Sequence, residues 1–121
     1  MNILIADSHP IISKMLCLKL RKAGYNAQIA PDGVQAMKLF NNKQPDLVIT
    51  DLLLPFVSGS ELIVHIREKL SSQVPIIVLS NIKLENTIVE VFNLGADDYI
   101  TKPFMPDEIV ARTKRLLRLA A

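Results

Sequence analysis

The stretch Asp46–Gly59 (DLVITDLLLPFVSG) carries the pattern that decides the fold of this 121-residue chain. An apolar run, Leu47–Thr50, stops abruptly at Asp51, and Pro55 and Gly59 then mark a loop before the next helical segment. The run does not alternate between apolar and polar residues, which indicates a strand that helices cover on both faces. The stretch therefore predicts a buried parallel strand that ends in a carboxylate.

Other apolar runs stop in the same way. They are Asn2–Ala6 before Asp7, Ile76–Leu79 before Ser80, and Tyr99–Thr101 before Lys102 and Pro103, with a weaker run at Ala27–Ala30. Between the runs, apolar residues recur at helical spacing, so strands and helices alternate five times. Right-handed crossovers then predict a doubly wound (βα)5 three-layer sandwich, and the pattern alone leaves the strand order open.

The predicted helices have definable ends and inward faces. The fourth helix is expected at about residues 84–94 with Gly95 as its C-cap, and the last helix begins at Pro106. The residues predicted to face inward include Leu16, Leu20, Phe40, Leu62, Ile63, Ile66, Leu70, Ile109, Thr113, Leu116 and Leu117.

Length and composition bound the class of protein. A chain of 121 residues with 50% apolar composition matches one domain, residues 1–121, and a net charge of +2 does not favour direct nucleic-acid binding. Cys17 is the only cysteine, which fits a reducing compartment. The sequence contains neither an apolar stretch of membrane-spanning length nor an N-terminal signal peptide. The expectation is a cytoplasmic domain without membrane contact.

The strand ends predict a reactive site. Carboxyl ends of neighbouring parallel strands share one edge of a sheet, where open α/β sheets bind ligands. That edge would collect Asp7, Asp51, Ser80 and Lys102. A carboxylate can attack a phosphoryl group, two carboxylates can hold a hard cation such as Mg²⁺, and an ammonium offsets phosphoryl charge. The set predicts phosphorylation of Asp51.

Each of these residues also has an ordinary interpretation. Asp51 could be a turn residue, and Asp7 or Ser8 could simply cap the first helix. Ser80 taken alone is an unremarkable strand-end hydroxyl, and Lys102 taken alone is a solvated surface lysine. Their conjunction at successive strand ends favours the phosphorylation site.

The chain resembles the response-regulator receiver domain of two-component signalling. The resemblance rests on ILIAD (Ile3–Asp7), DLVITDLLLPFVSG (Asp46–Gly59), PIIVLS (Pro75–Ser80) and GADDYITKPF (Gly95–Phe104). It implies a flavodoxin-like fold with strand order 2-1-3-4-5 and a cis bond between Lys102 and Pro103. The implied roles are Asp51 as phosphoacceptor, Ser80 as switch hydroxyl, Tyr99 as switch aromatic, Lys102 as phosphate-contacting residue, and Pro55, Gly59 and Pro103 as loop-shaping residues.

The resemblance also implies Mg²⁺. Its ligands would be Asp51, the acidic pair after the first strand and the backbone carbonyl of Leu53. Here Asp7 is followed by Ser8 instead of a second acid, so we expect weaker Mg²⁺ binding, with Asp7 acting directly or through water. Leu53 and Ile82 are apolar at positions where receivers tune dephosphorylation, which predicts a long-lived phosphoryl state.

The implied partners are a sensor histidine kinase and an output domain or partner. The ending Met105–Leu119 is similar to receivers of winged-helix transcription factors, which carry a DNA-binding domain after the receiver. Such receivers dimerise through the fourth helix, fifth strand and fifth helix. The candidate residues for this face are Asp97, Asp98, Glu108 and Arg112, and the alternative is that the arginines and lysines of the last helix form a solvated face.

The predicted function is a phosphoacceptor switch that assists its own phosphotransfer and dephosphorylation and is not an enzyme. The first alternative is a pseudo-receiver, which is an interaction module whose Mg²⁺ binding is impaired by Ser8. A phosphotransferase or phosphatase would need a second catalytic acid near Asp51 and a cap domain. A flavin carrier would need a phosphate-binding loop after the first strand, where Asp7-Ser8-His9-Pro10 stands instead.

Overall fold

Strands and helices alternate five times in the computed structural model, which describes residues 1–120. The strands are β1 (Asn2–Ala6), β2 (Asn26–Ala30), β3 (Leu47–Thr50), β4 (Ile76–Ser80) and β5 (Asp98–Thr101). The helices are α1 (Pro10–Lys22), α2 (Gly33–Asn42), α3 (Gly59–Val64), α4 (Glu85–Leu94) and α5 (Pro106–Ala120). A π-helical segment, His65–Lys69, continues α3. The predicted (βα)5 order is confirmed.

All strand pairs are parallel, and the sheet order is β2-β1-β3-β4-β5. This is the order that the resemblance implied. Ala6 of β1 pairs with Thr50 of β3, and Ser80 of β4 pairs with Thr101 of β5. The residue that follows each strand therefore emerges at one common edge of the sheet.

Two separate cores lie on the two faces of the sheet because neighbouring strand residues point to opposite sides. In β1, Ile3 and Ile5 pack with α1 and α5, whereas Leu4 and Ala6 pack with α2, α3 and α4. Both faces of β3 and β4 are fully buried, which explains their continuous apolar sequences. The result is the predicted three-layer sandwich.

Leu70 departs from the predicted inward face of the third helix. It is exposed, whereas Leu62, Ile63 and Ile66 are buried as expected. The backbone amide of Leu70 bonds to the carbonyl of His65, five residues earlier, because the chain is π-helical there. That wider turn rotates Leu70 off the face that ordinary helical spacing assigns to it.

The helix starts use different devices. Asp32 accepts a hydrogen bond from the amide of Gln35 at 2.8 Å to cap α2, and Ser58 accepts one from Glu61 at 3.1 Å to cap α3. Helix α1 begins with Pro10 and no side-chain cap. Across residues 1–120, every helix is too short or too polar to cross a bilayer.

Candidate functional site

The ammonium group of Lys102 lies between the carboxylates of Asp7 and Asp51. Its Nζ atom is 3.0 Å from Oδ2 of Asp7 and 2.8 Å from Oδ2 of Asp51. These residues follow β5, β1 and β3 directly, and all three side chains are buried. The sheet therefore brings two acids and a base from distant parts of the sequence into one ion-pair cluster.

Each carboxylate in the cluster also accepts a backbone amide. Oδ1 of Asp7 accepts from the amide of His9 at 2.7 Å, and Oδ1 of Asp51 accepts from the amide of Leu53 at 3.2 Å. All four carboxylate oxygens thus have a protein donor. The alternative that Asp7 or Ser8 caps α1 is wrong, because the N-cap residue is His9 and no side chain caps the helix. Asp7 instead binds the amide of His9 just before the helix and pairs with Lys102.

Lys102 is fixed from both its backbone and its side chain. Its amide donates to the carbonyl of Ser80 at 2.9 Å, and the bond to Pro103 is cis, as the resemblance implied. Burial alone would lower the pKa of Lys102, but hydrogen bonds to Asp51 and Asp7, together with their charges, outweigh burial and raise it. Lys102 is therefore a protonated, positioned cation.

Gly59 and Pro55 hold the loop that follows β3. The amide of Gly59 bonds to the carbonyl of Leu52 at 2.9 Å, and a Cβ atom at position 59 would collide with the carbonyl oxygen of Asp51. The carbonyl of Pro55 accepts from the amide of Gly33 at 3.2 Å, which ties the loop to the start of α2. Glycine at position 59 is thus required by close approach of two backbone segments.

Ser80 and Tyr99 both bond to the backbone of Ile82. The amide of Ile82 donates to Oγ of Ser80 at 3.1 Å, and the hydroxyl of Tyr99 donates to the carbonyl of Ile82 at 2.6 Å. Ser80 is completely buried and Tyr99 is half-buried. Sequence reasoning noticed only the apolar side chain of Ile82 and missed its backbone, which joins the two predicted switch residues.

The donor atoms at this edge can be compared with what Mg²⁺ requires. Mg²⁺ prefers six oxygens, usually keeps several waters, and uses one or two carboxylates. Asp7, Asp51 and the carbonyl of Leu53 offer ligands of the right kind. No group of three or more His, Cys, Asp or Glu side chains that could hold a metal occurs within residues 1–120. The residues fit a largely hydrated Mg²⁺, which would have to share the carboxylates of Asp7 and Asp51 with Lys102.

The residues predicted for a dimer face fall into two separate clusters. Arg112 binds both carboxylate oxygens of Asp98 at 2.9 and 2.8 Å, and it also pairs with Glu108 at 3.0 Å. Asp97 is engaged elsewhere, with Arg67 at 3.0 Å and the amide of Ile76 at 2.8 Å. These charges are therefore already paired within one chain.

Arg67 is a structural residue that sequence reasoning missed. Its guanidinium donates to the carbonyls of Gly95, Ser72 and Val74 as well as to Asp97, so it joins the end of the third helical segment to β4 and β5. Burial lowers its pKa, and the charge of Asp97 opposes this shift. The available signal was its spacing of four residues from the inward-facing Ile63.

The family model and the most similar relatives agree on one protein family. A family model described as the response regulator receiver domain matches residues 3–114. The chain is 38% identical over 97% of its length to the DNA-binding dual master transcriptional regulator RpaA of Synechocystis, covering 49% of that protein. It is 41% identical over 97% of its length to the phosphate regulon transcriptional regulatory protein PhoB of Pseudomonas aeruginosa, covering 52% of it. The chain thus spans about half the length of these relatives.

Solved structures give the same result for the fold. The receiver domain of the Francisella response regulator 1452 superposes with a TM-score of 0.93 at 30% identity, covering 99% of this chain and 98% of that one. The BeF3-activated receiver domain of Klebsiella pneumoniae RstA superposes with a TM-score of 0.90 at 27% identity, covering 98% and 99%.

Proposed function

The chain belongs to the response regulator receiver domain family, and we propose that Asp51 accepts a phosphoryl group from a sensor histidine kinase. The observation that supports this most directly is the contact of Lys102 with the carboxylates of Asp51 and Asp7. A nucleophilic carboxylate beside a fixed cation, at the carboxyl edge of a parallel sheet, suits transfer of a phosphoryl group.

The transfer can be written with the residues of this chain. A carboxylate oxygen of Asp51 forms a P–O bond as the P–N bond to the donor imidazole breaks, and the imidazole nitrogen keeps the electron pair. Oδ2 of Asp51 is bonded to Lys102 beforehand, so the ammonium is already placed to follow the charge onto the phosphoryl oxygens. Asp7 keeps Lys102 in position throughout. When bound, Mg²⁺ would offset negative charge on the transferred group.

The response would pass through Ile82. A phosphoryl group adds negative charge and acceptor oxygens beside Ser80, which then exchanges its bond to the amide of Ile82 for one to the phosphoryl group. The carbonyl of the same residue holds the hydroxyl of Tyr99, so a shift of Ile82 would also change the position of Tyr99. Helix α4 follows directly and has one buried residue, Val91, which leaves it easy to displace.

The output would be the control of transcription. The relatives are described as transcriptional regulators, and the chain spans about half their length. By that analogy the output is a DNA-binding domain that follows the receiver, and the α4–β5–α5 face is the surface that changes, including as a homodimer contact. On α4, the half-buried Ile88 and the exposed Phe92 supply apolar area for such a contact.

Labelling with a small phosphodonor tests the proposal. The chain is incubated with acetyl phosphate and Mg²⁺, and intact mass spectrometry measures phosphorylation. Wild type should be labelled and Asp51→Asn should not. Asp107→Asn is the control because Asp107 is an exposed acid that pairs with Lys19 and makes no contact with the cluster of Asp7, Asp51 and Lys102. Labelling of Asp51→Asn equal to wild type would refute Asp51 as the phosphoacceptor.

A phosphorylation-independent interaction module is the second candidate. It is favoured by two observations: Ser8 replaces an acid, and every oxygen of Asp7 and Asp51 already has a donor. Titration with Mg²⁺, followed by the amide NMR signals of residues 7–9 and 51–53, separates the candidates. Signals that stay unchanged at high Mg²⁺, together with no labelling by acetyl phosphate, would favour this module.

A further inference from the structure

A cavity of about 300 Å³ lies at the amino ends of β1 and β2, at the edge of the sheet opposite to Asp7 and Asp51. Small-molecule sites in proteins begin at about this volume, so the cavity suits a compact ligand rather than a large one. The proposed phosphorylation does not use this cavity, and its lining has a chemistry of its own.

The part of the sheet that lines the cavity is polar. Neighbouring strand residues point to opposite sides, so Asn26 and Gln28 lie on the same face as Ala30, which packs in the core with α2. Asn2 of β1 pairs with Asn26 and shares that face. Both Asn26 and Gln28 are exposed, since α2 already ends at Asn42. Three amide side chains therefore stand on an uncovered corner of the sheet.

Two cations stand beside these amides. Arg21 reaches the cavity from α1, and its Nη2 atom donates to the carbonyl of Ala27 at 3.0 Å. Lys43 follows α2 directly and is exposed. Among the described residues, neither cation forms a salt bridge and no acid lines the cavity. The acid nearest in sequence to Lys43, Asp46, accepts the backbone amide of Asn2 at 2.7 Å instead.

The remaining wall of the cavity is apolar. Leu4 and Pro45 are buried, and the half-buried Leu39 packs against the core. A ligand that matches the whole lining needs an anionic group for the two cations and hydroxyl groups for the amides, which can both donate and accept hydrogen bonds. It also needs a small carbon body to contact the apolar wall.

We propose that this cavity binds a small sugar phosphate. Arg21 and Lys43 hold the phosphate, because a guanidinium and an ammonium group both match its charge and its acceptor oxygens. The amide side chains of Asn2, Asn26 and Gln28 bond to the sugar hydroxyls. The volume of the cavity favours a single sugar over a nucleotide, which adds a base to the same sugar and phosphate.

The cavity is separate from the phosphorylation edge. Strand β1 begins at Asn2 in the cavity and ends just before Asp7, and these two residues are about 16 Å apart along an extended strand. Lys102 is a second cation that could attract a phosphate at the far edge. The test must therefore show where a ligand binds as well as how tightly.

The test is a titration of the chain followed by its amide NMR signals. The ligand is a hexose monophosphate, namely glucose phosphorylated on its primary hydroxyl. Glucose is the matched probe without phosphate, inorganic phosphate is the matched probe without hydroxyls, and adenosine monophosphate is the nucleotide probe. The hexose monophosphate should bind with a Kd of about 1 mM or tighter, and the three other probes about tenfold more weakly or worse. The signals of Asn2, Gln28 and Lys43 should shift, and those of residues 7–9 and 51–53 should not.

Three variants test the lining itself. Lys43→Gln should weaken binding of the hexose monophosphate by about tenfold, because it removes a charged donor, and Gln28→Ala should weaken it by about threefold or more. Lys38→Gln is the matched control, since it removes the same charge from an exposed position of α2 outside the cavity. All these side chains are exposed, so the melting temperatures should stay close to that of wild type.

Several results would overturn the proposal. They include unchanged cavity signals at high hexose monophosphate, and shifts confined to residues 7–9 and 51–53, which would place the phosphate beside Lys102. Inorganic phosphate or adenosine monophosphate binding as tightly would exclude recognition of a single sugar. An equal loss for Lys38→Gln and Lys43→Gln would reduce the effect to general electrostatics. Self-association through the cavity would make a second copy of the chain its occupant. None of these readouts depends on labelling of Asp51.

Discussion

Lys102 and Asp51 form a buried ion pair, with Nζ 2.8 Å from Oδ2 and both side chains about 5% exposed. The same ammonium group reaches Asp7, so one positive charge serves two carboxylates. Paired charges of this kind are costly to separate because either partner alone would be left buried without compensation. The cluster that we propose as the phosphorylation site is therefore also expected to matter for the stability of the fold.

Lys102→Met should lower the free energy of unfolding by about 3 kcal/mol in the presence of a chelator, because it leaves two buried carboxylates without their cation. Mg²⁺ should restore part of this loss, since it would offset the same charges. Urea unfolding with and without Mg²⁺ measures both effects. Lys19→Met is the control: its pair with Asp107 is exposed, so the expected loss is below about 1 kcal/mol. Equal losses for the two variants would contradict the buried-pair argument.

Ser8→Asp should strengthen Mg²⁺ binding by about tenfold or more, because an added carboxylate supplies charge at the position where the chain has only a hydroxyl. An NMR titration with Mg²⁺ measures the change in affinity. Ser71→Asp adds the same charge in the exposed loop before β4, where positive φ tolerates aspartate. If Ser71→Asp has as large an effect as Ser8→Asp, general electrostatics rather than a ligand at position 8 would explain it.

Leu53→Asn should shorten the lifetime of phosphorylated Asp51 by about tenfold or more, because an amide at that position can orient an attacking water and leucine cannot. Leu53 is exposed, so stability should change little. Decay of the acyl phosphate after removal of acetyl phosphate gives the rate. Leu84→Asn, an equally exposed leucine after β4, should leave the rate unchanged. Wild-type hydrolysis within seconds would refute the predicted long-lived state.

Ser80→Ala and Tyr99→Phe should each lower the free energy of unfolding by about 1 kcal/mol, because each removes one hydrogen bond to Ile82. The double mutant should show a coupling of about 0.5 kcal/mol or more, since both bonds hold the same residue. Urea unfolding of wild type, the two single mutants and the double mutant measures this coupling free energy. The control cycle pairs Tyr99→Phe with Ser58→Ala, which removes the cap of α3 and should be additive. Additive behaviour of the Ser80 cycle would contradict coupling through Ile82.

Most of the fold was predicted correctly from the sequence, because the periodicity of strands and helices is a local property of a sequence. The apolar runs gave the strands within one residue at each end, and the order of elements was correct. The failure at Leu70 has a local cause that periodicity does not contain: the hydrogen-bond pattern changes to π-helical after Val64. The strand order had to come from the resemblance, because the alternation of strands and helices is compatible with several orders. The structure confirms the order that the resemblance implied.

The sequence by itself determined that acids, a hydroxyl and a lysine end buried parallel strands, because a strand end is defined by residues adjacent in the chain. Only the tertiary structure decided what those groups bond to. Lys102 reaches Asp7 across 95 residues of sequence, Ser80 and Tyr99 meet at the backbone of Ile82, and the loop after β3 turns Phe56 outward. Such contacts depend on how the strands are ordered and how closely the loops pack, and neither property is encoded in the spacing of residues along one strand or helix.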